Sequence, residues 1–326
     1  MARKALGSIS NATVVSFEGL LVDYAYEHAI SVIIRGVRDA KDYDFEKLLR
    51  QVGGSQKLGI ETILLPARRE LDHVSSSAVK EVQKNQGLTY EYVPLHVKQA
   101  LEERISGQYI LGVTGESGTG KSYICNKFET FGAQTGIIVH NIELDHVGHS
   151  ILENLAEPSY QKTREDIASV FGSRVVLPGG KINRKVLGEL VFGDKQKLEQ
   201  LNSIMHTPIL VRLRRELFGK QGLLLLNAAL FTESDMTYLC NNNMLLVTTD
   251  DPSQQRRLRA RGLTPEQMKR RLESQYTTAQ KQSWIEQKIR EQRNGTLWTV
   301  QNNDSTTDTT LRTTFNAIVQ KLGVKH

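Results

Sequence analysis

Apolar residues fall along this chain in short unbroken blocks, separated by stretches in which they recur every three or four positions. The first arrangement predicts buried strands and the second amphipathic helices. Near the amino terminus the blocks TVVSF (13–17), ISVIIRG (30–36) and ETILLPA (61–67) predict strands. EGLLVDYAYEHA (18–29) and SSSAVKEVQKNQG (75–87) predict helices, the second with a serine start and a glycine exit. VPLHVKQALEERI (93–105) predicts one more helix with Pro94 in its first turn, and SGQ (106–108) reads as a hinge. A second series opens at YILGVTG (109–115) and continues with strand blocks GIIVHNIELD (136–145), GLLLLNAAL (222–230) and NMLLVTTD (243–250). Helical periods cover 121–132, 160–171, 184–191, 195–217 and 253–293, and a last helix over about 311–322 follows the polar stretch QNNDSTTDTT (301–310). No segment repeats. Strands alternating with helices imply an α/β fold with parallel sheets, divided into domains at 1–105 and 109–326.

Composition narrows this picture in a few places. A chain of 326 residues suffices for one large or two ordinary domains, and 39% apolar with 24% charged residues is the balance of a soluble globular protein. The longest apolar run, GLLLLNAALF (222–231), is too short to span a bilayer, so no membrane insertion is expected. The start, MARKALGSISNATVV, lacks the apolar stretch of a secretory signal. Cys125 and Cys240 are the only cysteines, which gives no disulfide framework and no paired-cysteine zinc site; a cytoplasmic protein is expected. The net charge of +6 suits anionic small molecules without demanding nucleic acid, and no aromatic-basic platform for nucleic acid appears. Oligomeric state is not legible.

The chemistry is concentrated at Gly115-Glu116-Ser117-Gly118-Thr119-Gly120-Lys121-Ser122, a full match to G-x-x-x-x-G-K-[ST] between a strand and a helix. In such a loop backbone N–H groups point inward at a polyphosphate, and the helix start adds partial positive charge. Lys121 reaches the β- and γ-phosphates, and the Ser122 hydroxyl can ligate Mg²⁺. The expected fold of the second domain is therefore a P-loop NTPase sheet with ATP and Mg²⁺ bound at the loop. The loop alone leaves the enzyme class open. Asp145-His146-Val147-Gly148 fits the D-x-x-G of a GTPase, but the nearest approach to N-K-x-D, Asn126-Lys127-Phe128-Glu129, lies inside the first helix. His146-Val147-Gly148-His149 fits the H-x-G-H of nucleotidyltransferases, but here it follows a phosphate-loop domain; the simpler reading is two histidines at a helix start.

From residue 109 onward the chain resembles dephospho-coenzyme A kinase, most closely the kinase half of the bifunctional CoA synthase. The resemblance rests on GVTGESGTGKS, IELDHVGH (142–149), GGKINRKVLGELVFGDKQKLEQLNSIMHTPIL (179–210), NAALFTES (227–234), LRARGLTPEQMKRRLESQ (258–275) and VQNND (300–304), in family order. It implies transfer of the ATP γ-phosphoryl to the ribose 3′-hydroxyl of dephospho-CoA. Glu143 and Asp145 stand where the family carries its two catalytic carboxylates. Arg257 and Arg261 stand in its lid, where they are expected to meet the triphosphate. Arg184, His206 and Glu233, in the matching segments, are the candidates to contact dephospho-CoA. The chain departs from the family at four points: Glu143 replaces an aspartate, a lid aspartate between Arg261 and Gly262 is absent, Asn227 stands where relatives often have aspartate, and MHTP carries one residue more than the usual His-Pro.

The first hundred residues resemble the carboxy-terminal part of phosphopantetheine adenylyltransferase, through FEGLLVDYAYEHAISVIIRGVRDAKDYDFE (17–46) and HVSSSAVKEVQ (73–83). Arg35 and Arg38 leave a strand end as a phosphate clamp, and Ser75, Ser76 and Ser77 open a helix toward an anion. That family's opening strand and H-x-G-H loop have no counterpart ahead of this segment. The expectation is a truncated Rossmann-like unit with a vestigial phosphate site and no adenylyl transfer in the chain as given. Two further readings stand beside the kinase: a bifunctional CoA synthase that starts upstream, and a non-catalytic protein that binds partners of the CoA pathway.

Overall fold

The computed structural model of the chain describes residues 1–7, 9–191 and 194–325. Phe192 and Gly193, within one of the matching segments, lie outside the described residues. Contacts divide the chain into two compact units, Met1–Val82 and Gln83–His326. Residues 83–105, assigned by sequence to the first domain, fall in the second unit.

In the first unit, helices α1 (Ala2–Leu6) and α2 (Leu21–Glu27) precede β1 (Val32–Val37), α3 (Ala40–Ser55), β2 (Glu61–Pro66) and the start of α4 (Ser76–Lys84). β1 and β2 pair in parallel from Val32↔Glu61 to Val37↔Pro66. Parallel neighbours need a crossover, which α3 provides. Its start is fixed by Asp39, whose side chain accepts from Asp42 N at 2.8 Å. Residues 13–17 form no strand: β1 and β2 pair with each other, no ladder reaches this segment, and Phe17 instead stacks on Tyr24 at 4.7 Å.

The second unit begins with α5 (Leu95–Leu101), which runs into a π-helical turn at Glu102–Ser106. No hinge follows. Gly107, in the left-handed region, ends the turn, and Gln108 is already the buried first residue of β3 (Gln108–Thr114), its amide donating to Leu217 O at 2.9 Å. Then come α6 (Lys121–Thr135), β4 (Val139–Glu143), α7 (Leu144–Glu153), α8 (Pro158–Phe171), α9 (Arg184–Val191), α10 (Lys195–Leu217), β5 (Gly222–Asn227) and β6 (Asn243–Thr248). The chain closes with α11 (Asp251–Ala260), α12 (Pro265–Glu273), α13 (Thr278–Gln292), β7 (Thr296–Gln301) and α14 (Asp308–Leu322). The five strands lie in the order β4-β5-β3-β6-β7, all parallel.

The apolar blocks divide by alternation between two cores, as strands covered on both faces should. Leu111, Val113, Leu223, Leu225, Leu245 and Val247 face Phe128 and Phe131 of α6 and Phe315 of α14. Ile110, Leu224, Leu226 and Met244 face the other side, among Ile151, Ile167, Leu213 and Ile285. Two elements differ from expectation. The period over 253–293 is broken into α11, α12 and α13. Gly262 leaves α11 at φ +75°, and Thr264 and Thr277 each open a new helix through a capping box with Gln267 and Gln280. The edge strand β7 was not expected, because TLWTVQ is no continuous apolar block and only Val300 in it is fully buried.

Candidate active site

The phosphate loop leaves β3 at the centre of the sheet, where strand order changes direction and ligands collect in open parallel sheets. Its glycines are there for close approach. A Cβ on Gly115 would stand 2.2 Å from Val247 O, and one on Gly120, at φ +86°, would stand 2.1 Å from Asn302 Nδ2. Distant side chains complete the loop. Asn302 Nδ2 donates to Thr119 O at 2.7 Å, and Gln254 Nε2 donates to Ser117 O at 2.9 Å. Thr278 donates its backbone N–H and hydroxyl to Glu116 Oε1 at 2.6 and 2.8 Å. Lys121 folds back on the loop, donating to Gly115 O at 3.0 Å and Glu116 O at 3.2 Å. Burial pushes its ammonium down to about 8; Asp145 opposes the shift, and Lys281, Arg261 and Arg271 add to it.

A cavity of about 250 Å³ opens over the loop. Ser117, Gly118, Gly120, Lys121, Ser122, Glu143, Asp145 and Arg261, all expected from sequence, line it together with His146, His149, Asn227, Ala229 and Arg271. Glu143 ends β4 and Asn227 ends β5 in the same register. Asn227 Nδ2 donates to Ser122 Oγ at 3.3 Å and to Glu143 Oε1 at 3.5 Å, while His146 Nε2 lies 3.3 Å from Glu143 Oε2. One amide therefore spans the loop serine and the carboxylate. His146 and His149 lie on the first two turns of α7. Burial, with Arg184 adding, holds His149 below the usual imidazole range.

The remaining candidates sit elsewhere. Gly115, Glu116, Thr119 and Arg257 are not among the residues lining this cavity; Arg257 Nη1 donates to Thr119 O at 3.1 Å and to Asn302 O at 2.9 Å. Glu233 is held by buried Lys281, at 2.6 and 2.8 Å, and by Tyr276 N at 2.7 Å. His206 is exposed on α10. Arg184 pairs with Glu153 at 2.9 Å and borders two outer cavities of about 590 and 180 Å³. In the first unit the clamp residues already have partners: Arg35 pairs with Glu46 at 2.7 Å, and Arg38 with Asp42 at 2.6 Å. Ser75 Oγ caps α4, accepting from Ala78 N at 3.1 Å, and Ser76 and Ser77 open that helix.

Sequence reasoning missed Arg271, Gln275, Gln254 and Lys281. The signal that could have exposed them is T-x-x-Q at 264–267 and 277–280, which breaks the long basic helix and brings its pieces onto the loop. Among the described residues no helix is long and apolar enough to cross a membrane.

The dephospho-CoA kinase family model matches residues 109–296. The dephospho-CoA kinase of Dehalococcoides mccartyi is 36% identical over 172 residues, 52% of this chain and 81% of that protein. The amino-terminal part is similar to phosphopantetheine adenylyltransferases. That of Psychromonas ingrahamii is 43% identical over 98 residues, 30% of this chain and 61% of that enzyme, so the chain spans less than two thirds of its length. The solved structure of TT1252 from Thermus thermophilus aligns at 24% identity over 66% of this chain and 98% of its own, with a TM-score of 0.49.

Proposed function

The chain belongs to the dephospho-CoA kinase family, and from that membership we propose that the cavity over residues 115–122 phosphorylates the ribose 3′-hydroxyl of dephospho-CoA with ATP. The observation that carries this reading is that one cavity holds the phosphate loop and the carboxylates of Glu143 and Asp145 together. Phosphoryl transfer needs positioning and charge stabilisation more than covalent help. Lys121 exchanges the carbonyls of Gly115 and Glu116 for the β- and γ-oxygens of ATP, and Arg261 meets the triphosphate from the lid. Glu143, held between Asn227 and His146, accepts the proton of the 3′-hydroxyl. The O3′–P bond forms as the bond from the γ-phosphorus to the bridging oxygen breaks, and ADP leaves. Asp145 favours the charged form of Lys121. Arg184, His206 and Glu233 remain the proposed dephospho-CoA contacts. Of these Arg184 is the best placed, because it borders the outer cavities.

The residues present fit a Mg²⁺–ATP complex. Ser122 offers a hydroxyl oxygen on the cavity wall, and Glu143 and Asp145 offer carboxylate oxygens beside it. That suits an ion that takes oxygen ligands and keeps phosphate and water in its shell. Bound with the nucleotide, Mg²⁺ would be held in part by Ser122 and would supply neutralising charge to the triphosphate.

The test is ADP release from ATP–Mg²⁺ with and without dephospho-CoA, with coenzyme A identified by mass. ADP release indifferent to dephospho-CoA refutes the reading. The two cysteines, free and buried, are compatible with a cytoplasmic reaction. For the first unit we propose a vestigial phosphate site, because its arginines are already answered by Glu46 and Asp42. Phosphopantetheine and ATP should then yield no pyrophosphate above a protein-free control.

A further inference from the structure

Arg271 is assigned a role neither by the loop motif nor by the sequence resemblance. It lies in the last turn of α12, and its Nε donates to Ser117 Oγ at 3.1 Å. The same hydroxyl accepts from Gln275 Nε2 at 3.0 Å, while Gln275 Oε1 accepts the Ser117 N–H at 2.9 Å. Ser117 and Gln275 are both buried. The side-chain amide therefore grips the backbone and the hydroxyl of one loop residue at once, and that hydroxyl fixes the guanidinium. The guanidinium is in turn part of the cavity wall shared with Lys121, Glu143 and Asp145.

We propose that Arg271 is a catalytic cation of the phosphoryl transfer, set on the γ-phosphoryl by Ser117, with Gln275 as its positioning residue. The inference rests on the kinase reading above. Charge in such a transfer spreads over the equatorial oxygens of the moving group, and a planar guanidinium matches two of them where an ammonium meets one. The balance of the cavity agrees. Lys121, Arg261 and Arg271 line one wall together with Glu143 and Asp145, a set of cations that suits a triphosphate. Burial holds the Arg271 guanidinium below its usual range, with Arg261 and Arg184 adding and Asp145 opposing. Arg257 cannot take this part without leaving the carbonyls of Gly118, Thr119 and Asn302. In the step itself, the 3′-hydroxyl proton goes to Glu143 and the γ-phosphoryl goes to O3′. Arg271 keeps its protons throughout and donates hydrogen bonds to the moving oxygens.

The full chain and its Arg271→Ala, Arg271→Lys, Gln275→Ala and Arg271→Ala/Gln275→Ala variants should be compared in two measurements. One is kcat at saturating ATP–Mg²⁺ and dephospho-CoA; the other is ATP Kd by calorimetry, which also reports whether the loop is intact. Arg271→Ala should lower kcat by about 10²–10³-fold, the loss typical of a missing transition-state donor, with ATP Kd changed less than about threefold. Lysine should restore less than about a tenth of the loss, since it lacks the fork. Gln275→Ala should lower kcat by about tenfold, the order expected of a small displacement of a reacting group, and should add nothing in the Arg271→Ala background. A kcat for Arg271→Ala within threefold of wild type overturns the proposal, and so does an ATP Kd that worsens as much as kcat falls. An undiminished Gln275→Ala effect in the double variant refutes positioning through Arg271. Wild-type protein that releases no ADP in response to dephospho-CoA refutes the kinase reading instead, and this inference with it.

Discussion

Glu143 is the residue on which the proposed chemistry turns, and its setting makes a sharp expectation. It is one methylene longer than the family's aspartate, yet Asn227 and His146 hold its two oxygens from opposite elements. Glu143→Gln should lower kcat by about 10²–10⁴-fold, the usual span for a lost general base, with ATP affinity little changed. Glu143→Asp should keep kcat near wild type or raise it. Full activity in Glu143→Gln with none in Asp145→Asn would move the base to Asp145. Lys121 carries a second expectation. Unliganded, it is charged below about pH 8 and neutral above. An unfolded lysine holds its proton to about pH 10.4, so between these values the unfolded chain binds more protons than the folded one. The unliganded protein should therefore gain stability as pH rises through that window. ATP needs the charged form, so above pH 8 its binding should weaken and take up a proton. Calorimetry in two buffers of different ionisation enthalpy measures that uptake; the same uptake in Lys121→Met would assign it to another group. That Lys121 and Ser122 line the cavity was legible from the local loop pattern, and that Glu143 and Asp145 stand beside them was legible from the family resemblance. Arg271 and Asn302 were not, since the residues they meet lie more than 150 positions away in sequence.

At the scale of the element, the long basic run after β6 is the instructive case. Arginines and lysines between 256 and 293 look like one solvated helical face, but two threonine caps cut it and each piece gains a separate task. α11 brings Gln254 and Arg257 to the loop, α12 brings Arg271 to the cavity, and α13 brings Thr278 to Glu116. Thr277→Ala removes one capping box and should cost about 1 kcal/mol of stability, measured by denaturant unfolding. Because Thr278 follows directly, the same change should also weaken ATP binding. Thr264→Ala, at the other capping box, should cost a similar amount of stability; a wild-type ATP affinity in Thr277→Ala would show that the α13 start does not support the loop. Four of the five strands of the second sheet were read to within three residues at each end, since continuous apolar blocks such as LLLL are buried on both faces. The expected strand at 13–17 and the unexpected β7 are the reverse case: pairing, which sequence period does not encode, decided both.

For the whole molecule, the division after Val82 matters more than the expected one at 105. Leu95, Leu101, Lys98 and Glu102 are all buried in the second unit. Lys98 donates to Glu102, to Leu239 O at 3.1 Å and to Asn241 Oδ1 at 3.1 Å. A protein of residues 83–326 should fold and retain dephospho-CoA-dependent ADP release. One of residues 106–326 loses this buried pair together with its helix. Within the longer protein, Lys98→Met leaves Glu102 without its cation, and breaking such a pair costs about 3–5 kcal/mol. Equal thermal stability of the two fragments would show that residues 83–105 are dispensable. The first unit offers far less to hold itself: its buried apolar side chains among the described residues are Ala25, Val37 and Val79, while Ile34, Phe45 and Leu65 stay exposed.

The closing of the phosphate loop by Asn302 also bears on the order in which the protein is made. The loop is written at residues 115–122, but the amide that fills the space beside Gly120 and ties down Thr119 lies at the far end of the last strand. A ribosome completes the glycine loop and its helix long before it reaches Gln254, Gln275 and Asn302 in turn. Through most of synthesis the emerging chain carries the nucleotide motif without the side chains that give it shape, and β7, which delivers Asn302, lies at the sheet edge. The side chains that shape the loop therefore arrive late and together with the finished sheet.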